Sequence, residues 1–128
     1  MSAGKYSFVI EQGATVNFEI QYKDSNNNPV DLTNYSGKMQ IRSGYADSNP
    51  TTYITLSSSL AADGTGLNFS GSNGTTPPTS GSIGIYISAA SSSAFTFGSA
   101  YYDLEITSGS IVTRLIEGQV RLSQQVTV

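Results

Sequence analysis

The run TVNFEIQYK at residues 15–23 decides the fold class. Val16, Phe18, Ile20 and Tyr22 fall on one parity, and Asn17, Glu19 and Gln21 on the other. A period of two puts successive side chains on opposite faces of an extended backbone, so the segment reads as a strand with one buried and one wet face. The same period recurs in both directions along the chain. Upstream, YSFVI at 6–10 reads as a first strand, closed by Gln12 and Gly13. Downstream, DSNNNP at 24–29 is turn chemistry, because Asn and Asp tolerate left-handed backbone and Pro fixes its own φ. VDLTNY at 30–35 then reads as a tight corner that tucks Leu32 and Tyr35 under the sheet. On the strand that follows, Gly37, Met39 and Ile41 face inward, and Lys38, Gln40 and Arg42 face outward.

Further along, 43–50 is a loop, and Ile54 and Leu56 share one face of a strand with Tyr53 and Thr55 on the other. Leu67 and Phe69 mark a short strand between glycines. GSNGTTPPTSG at 71–81 is the longest expected surface loop, and its tip is the first place to look for mobility or contact. Ile83, Ile85 and Ile87 share a face and predict a central core strand. SAASSSA at 88–94 is the one expected helix, capped by Ser88, since Ala favours helix and Ser suits the cap. Ala100, Tyr102, Leu104 and Ile106 alternate against Tyr101, Asp103 and Glu105, and TSGS at 107–110 makes a hairpin turn. In the last strand Ile111 and Leu115 sit on one parity, but Val112, Ile116, Val120 and Leu122 on the other. A bulge near Glu117 and Gly118 would reconcile them.

The pattern predicts one all-β domain over residues 1–128. Its expected form is an immunoglobulin-like β-sandwich of about seven to eight antiparallel strands with one short helix in a connection. The disulfide and Trp that mark true immunoglobulin domains are missing, so a jelly roll or small barrel stays open. Leu, Ile, Val and Phe together make up a little under a quarter of the chain, enough for one two-layer core.

Composition narrows the chemistry. With no His and no Cys, Zn, Cu, haem and iron–sulfur sites of ordinary ligand type, thiol nucleophiles and imidazole bases are all excluded. The six basic residues are scattered along a chain of net charge −3, which argues against nucleic acid and against an electrostatic membrane patch. The apolar run Phe8, Val9, Ile10 is too short for a signal peptide, and no stretch approaches the ~20 apolar residues that span a bilayer. The expectation is a soluble chain with a neutral Ser, Thr, Asn and Gly coat.

Three constellations bear on chemistry. Asp24, Asn26 and Asn28, with Asp31 nearby, have the spacing that opens a calcium loop. Pro29 stands where the required Gly would be, no Glu closes the loop, and a plain Asx turn is the better reading. Asp103 and Glu105, with Tyr101 beside them and Arg114 across the hairpin, resemble a glycosidase pair only in spacing; charges paired across strands are the ordinary explanation. Sequons at Asn34, Asn68 and Asn73 read as accidents of a Ser/Thr-rich chain. No catalytic residue, metal or cofactor is therefore expected. The candidate interface residues are Tyr45, Tyr53 and Tyr101, which are the tyrosines expected to be exposed, and Asn73, Thr76, Pro77 and Pro78 in the long loop.

Four phrases carry a family resemblance: EQGAT at 11–15, DLTNY with KMQIR at 31–42, SGSIGIYISA at 80–89 and YYDLEITSGSIVTRLIEG at 101–118. Together they resemble small virion structural proteins of tailed bacteriophages, of the T4-like cyanophage type, and are similar to the immunoglobulin-like N-terminal domain of phage baseplate upper proteins. The resemblance implies a non-enzymatic tail or baseplate component, made in the host cytoplasm, present in several copies and docked to other virion proteins. A capsid decoration protein and a carbohydrate-binding adsorption module are the alternatives. Residues 1–5 and 123–128 read as short tails that order on assembly.

Overall fold

The computed structural model describes residues 4–44 and 50–126. Within these the chain forms β1 (Gly4–Lys5), β2 (Phe8–Glu11), β3 (Val16–Gln21), β4 (Ser36–Arg42), β5 (Thr52–Ser57), β6 (Gly66–Asn68), β7 (Ser82–Ile87), α1 (Ala89–Ser93), β8 (Ser99–Ser108) and β9 (Ile111–Ser123). One sheet has the order β1-β9-β8-β4-β5, with β2 also on β9, and the other has the order β3-β7-β6. They pack face to face as an immunoglobulin-like sandwich. The expected all-β class is therefore observed.

The core follows the predicted parities. Met39, Ile41, Leu104 and Ile106 from the larger sheet meet Leu67, Ile83, Ile85 and Ile87 from the smaller, all fully buried. Each such side chain stabilises the fold by about 1.5–3 kcal/mol relative to an exposed position. The corner at 30–35 buries Leu32 and packs Tyr35 on the core. Ser88 caps α1 by accepting the Ser91 N–H at 3.1 Å, as its sequence position predicts. The fully buried Ser92 ties the helix to the turn before β3, donating to the Ala14 carbonyl at 2.7 Å and accepting from the Gly13 N–H at 3.1 Å.

The structure departs from expectation in pairing direction, strand length and register. β1 and β2 pair parallel with β9, so the larger sheet is mixed rather than wholly antiparallel. Gly4 and Lys5, expected to lie in a tail, already pair as β1, and Ser123 still belongs to β9. Strands run from 2 to 13 residues. The bulge of β9 falls at Leu115: Leu104 pairs with Ile116 and Glu105 with Arg114, leaving one extra residue. It lets Leu115 and Ile116, consecutive in sequence, both pack on the core. A second bulge, where Ile41 pairs with Ile54 and Arg42 with Thr52, does the same for Tyr53 and Ile54.

Gly118 has a different task from the one its sequence context suggests. A Cβ there would overlap the Tyr6 carbonyl oxygen, so the glycine admits the backbone that crosses between β1 and β2. Gly84 plays the equivalent part on the outer face of the smaller sheet. Its absent Cβ would sit 2.7 Å from the backbone of Gly71 and Ser72, which lie over it. The Ser72 N–H donates to Glu19 at 2.8 Å and closes the loop onto β3.

Candidate interaction surface

β9 has two halves with different surroundings. Beyond Leu115 it has neighbours on both sides: β8 pairs with it as far as Arg121, while on the other side β1 pairs with Ile116 and Glu117 and β2 with Val120 to Ser123. Aromatic rings close the sandwich over this half. Phe8 lies 5.1 Å from Phe18 of β3 and 5.1 Å from Tyr102 of β8, and Tyr6 lies 5.9 Å from Phe18, between ring centres. The Tyr102 hydroxyl donates to the Tyr6 carbonyl at 2.6 Å. Burial, reinforced by neighbouring Tyr6, holds this phenol well above its ordinary ionisation range.

From Ile111 to Leu115 the strand pairs only with β8 among the described residues. Beside it, between β3 and β9, opens a cleft of about 310 Å³ lined by Ile20, Tyr22, Leu115 and Ile116, with Lys23 and Arg114 at its margins. The hairpin tip adds Ile111 and Val112, 69% and 57% exposed. No carboxylate lines the cleft.

The outer face of β9 carries a charge row. Lys5 Nζ lies 2.9 Å from Glu117, and Arg114 lies 3.4 Å from Asp103 and 4.0 Å from Glu117. The hydrogen bond from Lys5 holds the Glu117 carboxyl below its usual range. Glu105 faces Arg114 across the hairpin and Lys38 on β4, so Asp103 and Glu105 belong to a flat ladder of paired charges and neither lines the cleft.

The other sequence candidates scatter over the molecule. Tyr45 lies outside the described residues. Tyr53, expected outside, is half-buried and stacks on Phe97 at 4.7 Å, because the bulge in β5 turns it toward the core. Tyr101 is half-buried on the outward face of the larger sheet, paired with Arg42 and Gln119 in register. Asn73, Thr76, Pro77 and Pro78 lie on the loop that crosses the smaller sheet, away from Tyr101. Asn73 Oδ1 accepts from the Thr75 and Thr76 N–H groups at 2.9 and 3.2 Å and from the Thr76 hydroxyl, and the Pro78 carbonyl accepts from Leu32 N–H at 3.0 Å. This loop is stapled rather than loose.

In the calcium-like turn, Asp24 Oδ1 accepts from the Asn26 and Asn28 N–H groups at 2.9 and 3.0 Å, with Asn27 at φ 65°. Asp31 accepts from the backbone and hydroxyl of Thr33, which lowers its carboxyl below the usual range. The two carboxylates thus shape separate turns, and the described residues contain no cluster of three or more metal-binding acids. Among the sequons, Asn34 is exposed, whereas the Asn68 and Asn73 carboxamides cap their own turns.

Sequence reasoning missed the cleft, although one signal pointed to it. The parity conflict in β9 puts apolar residues on both faces of its first half, which is what an incompletely covered edge beside a core opening contains. No helix of the described residues is long and apolar enough to cross a membrane. Compared with known proteins, the chain matches no protein-family model and no curated protein.

Proposed function

We propose that the chain is a non-enzymatic structural protein of a tailed-bacteriophage virion, a tail or baseplate component that docks to other virion proteins. The observation that carries the docking reading is the first half of β9, paired on one side only among the described residues and lying beside a largely apolar cleft, since exposed apolar surface at a strand edge favours association over isolation. The virion context is supported by the four resembling phrases. The inventory of side chains agrees with a passive role: imidazole bases and thiol nucleophiles are missing from the sequence, and the carboxylates of Asp24, Asp31, Asp103 and Glu117 are engaged in turns or ion pairs. Partners are other virion proteins, with neither nucleic acid nor membrane required.

Deleting the gene from its phage tests this reading. Particles that lack or mis-assemble their tails are the expected outcome, and the chain should be found in wild-type virions at a tail-like copy number. Fragile heads with normal tails would move the protein to the capsid surface, and intact tailed particles that fail to adsorb would favour sugar binding. Normal particles without the chain would end the virion reading altogether.

A further inference from the structure

Resting on the docking reading but not on its virion context, we infer that the first half of β9 is a strand-addition site that takes an extended, acidic segment of another protein. In an antiparallel pair, alternate residues turn their N–H and C=O toward the partner strand and the others turn them away. β1 begins its parallel pairing at Ile116, so the outward backbone groups of residues 111–115 meet no strand among the described residues. Such an edge templates another strand through main-chain hydrogen bonds, with specificity from pockets for alternate side chains.

The pocket is present. A strand laid in line with β1 would run over the cleft, where Ile20, Tyr22, Leu115 and Ile116 receive its inward apolar residues. Charge selects the occupant. Arg114 is already held by Asp103 and Glu117, but Lys23 lines the cleft with no carboxylate among the lining residues and makes no ion pair among the described residues. A second copy docked edge to edge would bring another unpaired Lys23 into the same contact and supply no carboxylate for either, and like charges opposed across a ladder destabilise it. The fitting partner alternates apolar residues with Asp or Glu.

The test uses the full isotope-labelled chain and two blocked peptides, Val-Glu-Val-Glu-Val and Val-Lys-Val-Lys-Val, followed by amide chemical shifts. The glutamate peptide should produce saturable shifts confined to residues 111–116 and 20–23, and the lysine peptide should bind more weakly. Lys23→Glu, an exposed change whose spectrum should otherwise superimpose on wild type, should weaken the glutamate peptide about two- to fivefold. Equal response to both peptides, or shifts elsewhere on the surface, would overturn the site. A dimer of the free chain joined through residues 111–115 would reassign it to a second copy. Binding that appears only after removal of residues 1–3 would reassign it to the chain's own start. Failure of the peptides with the chain still present in virions removes this site alone, and binding with the chain absent from virions removes the phage context alone.

Discussion

The two halves of β9 belong to one continuous strand yet have opposite fates. Over Ile116 to Ser123 the N-terminal strands complete the backbone pairing, and Phe8, Phe18 and Tyr102 fill the side of the sandwich. Over Ile111 to Leu115 only β8 pairs with the strand among the described residues, and the two sheets part around a cleft. The difference shows that an edge is closed by what its neighbours supply, here a strand that carries rings, and that strand propensity alone does not close it. The half that holds the fold together and the half that offers a surface are separated by a single bulged residue, Leu115.

The sharpest way to break this contrast is a cavity in the closed half. Ile10, fully buried on β2, changed to Ala should cost about 2–5 kcal/mol, read as a lowered urea midpoint. Gly118→Ala should come next, at about 1–3 kcal/mol, because its methyl displaces the Tyr6 backbone; proteolysis should then cut near residues 4–8 first. Tyr102→Phe removes the hydrogen bond to the Tyr6 carbonyl and should cost about 1 kcal/mol near neutral pH. It also carries a pH signature. The phenol of Tyr102 is raised above its ordinary value of 10.0 in the folded state, so its stabilisation is fully present below that value and is lost as pH climbs through the folded one. Wild type should therefore lose stability above about pH 10 more steeply than Tyr102→Phe. The smallest effect belongs to the open half: Ile111→Ala should stay within about 0.5 kcal/mol of wild type in the same titration. If Ile111→Ala instead cost as much as Ile10→Ala, the two halves would be equally structural.

Much of this architecture was legible in the residues. The alternation of β3, the isoleucines of β7, the corner around Leu32 and the cap at Ser88 are local patterns, and each forms where its pattern places it. Pairing direction is not a local property, because periodicity is the same for parallel and antiparallel neighbours; nothing in YSFVI announces that β2 runs alongside β9. Register was equally hidden. Gly118 invited a bulge that falls instead at Leu115, since the glycine was needed for a close approach of Tyr6 that only the folded chain reveals. Tyr53 kept an outward parity in sequence and turned inward for the same kind of reason, a bulge with no residue of special conformation to mark it. The cleft arises from elements that fail to meet, and a gap has no sequence pattern of its own.

Amide hydrogen exchange on the free full-length chain tests the contrast most directly. Along Ile116 to Leu122 both sets of β9 amides should be protected. Along Ile111 to Leu115 only those facing β8 should be, with the outward amides exchanging close to the rate of an open loop. Outward amides in the first half that exchange as slowly as those of Val120 and Leu122 would mean that the edge is already closed, and would contradict the account.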